Sequence, residues 1–167
     1  MFNYFDVTDA EAMKLWDRLL VGGKKVIGLG NTDAHMAFQL GILWNGVLCE
    51  TLDRIDVLNA IEKGRLFVSD GPICIIEVED KKMGDTITSN KEKLKVKVEC
   101  YDIEGISNLR VIKNGEIIQD KHFNGDKSVE IEFTDTTTED IGYFRAESYS
   151  LDKRRAYTNP IFIRKNT

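Results

Sequence analysis

The chain has 167 residues, of which 42% are hydrophobic, enough for one ordinary domain or two small ones with a packed core. Its formal net charge of -5 is mixed along the chain, which is not the basic stripe of a nucleic-acid-binding surface. No apolar run approaches the roughly 18 residues of a membrane span. We therefore expect neither a nucleic-acid partner nor a membrane partner.

The first part of the chain, residues 1–71, mixes helical and strand-like patterns. Apolar residues recur at helical spacing after a capping-box pair, Thr8 and Glu11, and a second helical stretch follows later. Glycines stand where each predicted helix ends. The predicted elements, in chain order, are a helix ending at Gly22-Gly23, strands at 24–30 and 47–49, a helix at 52–63 ending at Gly64, and a strand at 66–69.

The second part, residues 72–167, alternates apolar and polar residues with period two. Asn114-Gly115 between two such runs is a strong hairpin signal. Short strands at this density predict an immunoglobulin-like β-sandwich and a domain boundary near Gly71-Pro72. The predicted strands cover 73–79, 94–101, 108–114, 116–119, 128–133, 143–150 and 157–164.

Asp33 and His35 directly follow the predicted strand at 24–30. On an extended chain alternate residues point to the same side, so the carboxylate and imidazole could share a metal. Both are good ligands for zinc, manganese or iron. The alternative is that Asp33 begins a turn and His35 lies on the surface. The other histidine, His122, sits in a polar stretch and is expected to be solvated, so this chain alone does not complete a hydrolytic site.

The stretches "WDRLLVGGKKVIGLGNTDAH" and "LGILWNGVLCETLDRIDVLNAIEKGRLFVSDGP" resemble the C-terminal part of the PHP (polymerase and histidinol phosphatase) family of metal-dependent phosphoesterases. The tail "TNPIFI" is similar to the end of the β-sandwich attached to such barrels. The resemblance covers most of the chain. It implies an α+β fold, with a C-terminal fragment of a distorted (β/α)7 PHP barrel at 1–71 and an immunoglobulin-like β-sandwich at 72–167.

The resemblance also implies a function. Asp33 and His35 would be metal ligands, and the full-length protein would use divalent zinc, manganese or iron ions to hydrolyse a small phosphoester. The family's H-x-H strand and its middle Glu, His and Asp ligands have no counterpart here. We therefore expect a C-terminal piece of a longer enzyme, partnered by the missing N-terminal barrel portion. Alone, it is expected to be inactive and to bind metal weakly at best.

The sequence leads to two further predictions, one for Arg65 and one for the three cysteines. Arg65 could hold the phosphate or carboxylate of a substrate, because arginine favours bidentate oxyanion contacts, or it could simply suit the end of a helix. Cys49, Cys74 and Cys100 form no CxxC pair. We interpret them as reduced core residues, which is consistent with a cytoplasmic chain.

A second functional class stays open beside the hydrolase. The chain could be a non-catalytic β-sandwich binding or oligomerisation module that carries a degenerate barrel remnant. A truncated barrel would leave apolar surface and exposed strand edges, so self-association is expected.

Overall fold

A computed structural model describes residues 7–137 and 139–165 of the chain. No helix in these ranges is both long and apolar enough to cross a membrane. A short 3-10 turn spans Ala37–Gln39. The elements, in chain order, are α1 (Val7–Val21), β1 (Trp44–Val47), α2 (Arg54–Lys63), β2 (Leu66–Ser69), β3 (Ile73–Val78), β4 (Lys81–Lys82), β5 (Thr86–Thr88), β6 (Lys93–Lys113), β7 (Glu116–Thr136), β8 (Ile141–Ser150), β9 (Arg155–Thr158) and β10 (Ile161–Arg164).

Both predicted helices form. The side chain of Asp53 caps α2 by accepting a hydrogen bond from the N–H of Ile55 at 2.9 Å, and the helix ends at Gly64 as predicted. Helix α1 ends at the predicted glycine pair, where the N–H of Gly22 still donates to the carbonyl of Arg18. The capping contact predicted for Thr8 falls on a side chain outside those described.

The long hairpin of β6 and β7 organises the sheet. Asn114 and Gly115 have φ angles of 51° and 85°, the left-handed conformation that a two-residue hairpin turn requires, and Lys113 pairs with Glu116 across it. The predicted turn is therefore confirmed. Each arm of the hairpin runs for 21 residues, because strands predicted separately continue into one another.

The hairpin joins two parts of one curled sheet. One edge of β6 pairs with β7, whereas its other edge pairs with β3 in its first half and with β8 in its second half. Strand β3 also packs against β8 and β9, with which it forms no ladder. The two parts of the sheet thus face each other across a common core.

The core is built from the inward positions of these strands. In β6, Leu94, Val96, Val98 and Cys100 are buried, while the residues between them are exposed or half-buried. This confirms the predicted alternation of a half-buried antiparallel strand. Residues from β8, β9 and β10 complete the same cluster.

The predicted α+β class is wrong. The described residues are mostly β, with two α-helices and a largely antiparallel sheet. A barrel of the predicted kind needs parallel strands joined by helices, but β1 and β2, which flank α2, pair antiparallel. Residues 24–30 form no strand. A curled, largely antiparallel sheet takes the place of the expected barrel fragment.

The division into residues 1–71 and 72–167 stays a prediction. Strands on the two sides of the predicted boundary share the sheet, because β2 pairs with β9 through Phe67↔Thr158 and two further residue pairs. Beyond β9 the sheet continues into β8. The N-terminal elements are therefore attached to the β-rich part by backbone hydrogen bonds.

The bend in the β6–β7 hairpin predicts a position that is intolerant to substitution. The register shifts between Tyr101 and Ile106, and Gly105 has a φ of 88° there. A Cβ on Gly105 would lie 2.2 Å from the carbonyl oxygen of Gly125. The strands cannot come so close around any larger residue, because the clash is with backbone.

We predict that Gly105→Ala lowers the free energy of unfolding by about 3 kcal/mol, the sum of left-handed strain and overpacking. Gly41→Ala is the matched control, since Gly41 has a φ of 78° but a Cβ added to it would meet no atom within 4 Å. It should cost about 1 kcal/mol. Urea denaturation measures both, and equal losses would contradict the backbone clash.

Candidate functional site

Residues 24–31 run beside the sheet and are held by side-chain amides instead of a strand ladder. The N–H of Gly28 donates to Oδ1 of Asn159 at 2.8 Å, and Nδ2 of Asn159 donates to the carbonyl of Gly28 at 2.9 Å. Asn45 makes the same two contacts with Gly30, both at 2.9 Å. Each asparagine thus replaces the backbone of a neighbouring strand.

Helix α1 adds a third contact on this side. Nε1 of Trp16 donates to the carbonyl of Val26 at 2.8 Å. The two glycines of the segment pack closely, since a Cβ on Gly28 would meet the Trp16 ring at 3.2 Å and one on Gly30 would meet Val68 at 2.3 Å. Larger residues at either position would push the segment away from its partners.

The opposite edge of the segment is open. Gly28 and Gly30 each bond an asparagine through both backbone groups. In an extended strand the backbone groups of the residue between them, Leu29, point to the other side. No residue within 7–137 and 139–165 forms a hydrogen bond with the Leu29 backbone. The Leu29 side chain is 61% exposed. We call the backbone groups of residues 27, 29 and 31 the open edge.

A cavity of about 320 Å³ lies between the segment, α1 and the sheet. It is mostly apolar, with side chains contributed by α1, β2, β9 and the loop before β1. Its lining includes Met13, Trp16, Leu29, Leu43, Val68 and Tyr157.

A buried ion pair fixes α1 in this position. The Arg145 side chain on β8 is only 3% exposed, and its Nε and Nη2 donate to the two carboxylate oxygens of Asp17 at 2.9 and 2.8 Å. Its Nη1 donates to Glu147 at 2.6 Å. A buried guanidinium needs such partners, because desolvation without them is very costly.

Tyr143 completes the attachment of α1. Its hydroxyl donates to Asp17 at 2.9 Å. Burial, together with the nearby Asp17 carboxylate, raises the pKa of Tyr143 above its usual value, so the hydroxyl stays a donor. Asp17 therefore accepts from both a cation and a phenol, and Trp16, its neighbour in sequence, is held over the 24–31 segment.

Asp33 and His35 lie in an exposed turn after the segment. Asp33 has a φ of 46°, and Nδ1 of His35 lies 2.6 Å from its backbone carbonyl, not from its carboxylate. The His35 N–H donates to Gln39 at 2.8 Å. In the described ranges no three His, Cys, Asp or Glu side chains are grouped to hold a metal ion. The role of the two residues as metal ligands stays a prediction.

Arg65 follows the end of α2 and forms an ion pair within the chain. Its Nη2 lies 3.2 Å from Oδ1 of Asp85, and both side chains are partly exposed. Its Nε is buried without a hydrogen bond to any described residue. The structure thus pairs Arg65 with a carboxylate of its own chain, and its predicted role in substrate binding stays a prediction. His122 is exposed, as expected.

The residues that build the site were not identifiable from sequence. Asn45 precedes a glycine and Asn159 precedes a proline, contexts that are typical of turns. Asp17 and Arg145 are 128 positions apart. Only the folded sheet brings these groups to the 24–31 segment.

No family model matches the chain, and no curated protein matches it either. Among solved structures, the solution structure of the CARDB domain of PF1109 from Pyrococcus furiosus is similar. The two share 18% sequence identity with a TM-score of 0.40, over 56% of this chain and 96% of that chain.

The predicted membership of the PHP family is wrong. The described residues form a mostly antiparallel β-structure in place of the barrel that the family requires. The prediction that the chain is the C-terminal portion of a phosphoester hydrolase of this family is wrong as well.

The ion pair beneath α1 gives a second prediction. Asp17→Ala removes the bidentate partner of a buried arginine and should lower the free energy of unfolding by about 3 kcal/mol. Glu132→Ala is the control, because Glu132 pairs with Lys95 at 2.9 Å on the exposed face of the sheet. That change should cost less than about 1 kcal/mol. Chemical denaturation compares them, and similar losses would show that the buried pair does not anchor α1.

Proposed function

We propose that the chain is a non-catalytic oligomerisation module that pairs with a second copy of itself through the open edge of residues 27, 29 and 31. The observation that carries the proposal is the one-sided hydrogen bonding of the 24–31 segment. Gly28 and Gly30 are satisfied by Asn159 and Asn45, whereas Leu29 presents its backbone groups outward. An unpaired strand edge is a template for pairing with another chain.

The sequence of the segment is complementary to itself. Two copies paired antiparallel about Leu29 would set residue 27 opposite residue 31. They would also bring Lys25 of each copy near Asp33 in the turn that follows the segment of the other copy, twice by symmetry. A two-fold interface uses the same patch on both subunits, so each favourable contact is made twice. Lys25 and Asp33 are both exposed, and each is located near one end of the segment.

Apolar groups lie where such a dimer would bury them. Ile27 and Leu29 are exposed on the segment, and the cavity beside it is mostly apolar. Burial of apolar surface contributes about 25 cal/mol for each Å² removed from water. The backbone groups of the open edge would set the register, and these side chains would supply most of the stabilisation.

The proposal predicts a concentration-dependent dimer that specific substitutions dissociate. Leu29→Asp should produce a monomer in sedimentation velocity, because it places two carboxylates at the centre of the interface. Leu52→Asp is the matched control, since Leu52 is 94% exposed and lies outside the segment. It should leave the dimer intact. A wild-type chain that stays monomeric at every concentration would contradict the proposal.

A charge exchange tests the orientation of the two copies. Lys25→Asp alone should weaken the dimer at least tenfold by facing two carboxylates, and Asp33→Lys alone should do the same with two ammonium groups. The double exchange should restore the affinity, because the opposite charges face each other again. A double variant as weak as the single variants would rule out antiparallel pairing about Leu29.

A further inference from the structure

Cys74 and Cys100 face each other inside the core. They are direct partners in the β3–β6 ladder. The two side chains are 0% and 3% exposed, and their Sγ atoms are 3.1 Å apart. The ladder is regular around them, with Ile73 opposite Tyr101 and Ile75 opposite Glu99.

This placement suits a covalent link. Directly opposed residues of an antiparallel pair have Cα atoms about 4.5 or 5.5 Å apart, depending on the type of pair. Disulfides span Cα separations of roughly 4.4 to 6.8 Å. The backbone therefore need not move for the two sulfur atoms to bond, and neither strand has to leave the sheet.

We propose that Cys74 and Cys100 are an oxidation site, which forms a disulfide between β3 and β6 when the chain meets a small disulfide oxidant such as oxidised glutathione. One thiolate attacks the oxidant, forming a mixed disulfide and releasing one glutathione. The second thiolate then displaces the other glutathione and closes the Sγ–Sγ bond. Both cysteine S–H bonds are lost, and two glutathione thiols are gained, so protons and electrons balance.

The fold controls when this reaction takes place. Burial, with the adjacent Cys74, raises the pKa of the Cys100 thiol, so few thiolates form in the closed protein. Reaction therefore occurs during folding or when β3 opens from β6. The link would close the loop that contains β4 and β5, and it would hold β3 against β6 under β8 and β9. Cys49, half-buried after β1, has no cysteine partner in the ladder and stays a thiol.

The test uses the whole chain, refolded in buffers of reduced or oxidised glutathione. The products are quenched in acid, then unfolded in denaturant with excess iodoacetamide at mildly alkaline pH, where free thiols form the reactive thiolate, and weighed by mass spectrometry. We expect three labels from the reduced sample and one label, on Cys49, from the oxidised sample. The oxidised form should also melt roughly 5 °C higher, since the link restricts the unfolded chain.

Two variants assign the link. Cys49→Ser should still form it and take no label after oxidation, whereas Cys74→Val should take two labels under both conditions. Three labels on the oxidised wild-type protein would overturn the proposal. A disulfide that includes Cys49, or one that joins two chains, would overturn it as well.

Discussion

The backbone of residues 26–30 needs hydrogen-bond partners where it meets the protein, and side chains supply them. Asn159 and Asn45 each offer one donor and one acceptor to a glycine, as a neighbouring strand would. Satisfying one edge in this way leaves the other edge available. The proposed interface depends on that one-sided arrangement.

The arrangement is supported from beneath by electrostatics. Arg145 is buried on the face of β8 that α1 covers, opposite the face that contributes Phe144 and Ala146 to the core. Its charge must be compensated there, and Asp17 on α1 compensates it with both carboxylate oxygens. Helix α1 is therefore held in one position, and Trp16 reaches Val26 from there. The ion pair thus helps to position the segment that carries the proposed interface, although neither Asp17 nor Arg145 belongs to that segment.

The sequence predicted local structure well where a short pattern determines it. The two-residue turn at Asn114-Gly115, the end of α2 at Gly64 and the alternation along β6 follow from backbone strain and burial within a few residues. The prediction of a strand at 24–30 was wrong because the partners of this segment are side chains and not neighbouring strands. Its apolar pattern is that of a buried strand, but Asn45 and Asn159 occupy the places of its neighbours, and no local signal reveals this.

The predicted fold class and family were wrong because both rested on short motifs that lie far apart along the chain. The direction of β1 relative to β2, and the pairing of β2 with β9, depend on contacts far apart in sequence. Asp33 and His35 have suitable chemistry for a metal, yet a backbone turn joins them through a carbonyl. Residue type and spacing therefore identify chemistry, but they do not determine the conformation of the turn that orients the two side chains.

Hydrogen exchange at the Leu29 amide, followed by NMR across protein concentrations, measures directly whether the open edge pairs with a second copy. If it does, this amide exchanges freely in dilute protein and becomes protected as the concentration rises. The amides of Gly28 and Gly30 should be protected at every concentration, since Asn159 and Asn45 bond them within one chain. A Leu29 amide that exchanges freely even in concentrated protein would contradict pairing through the open edge.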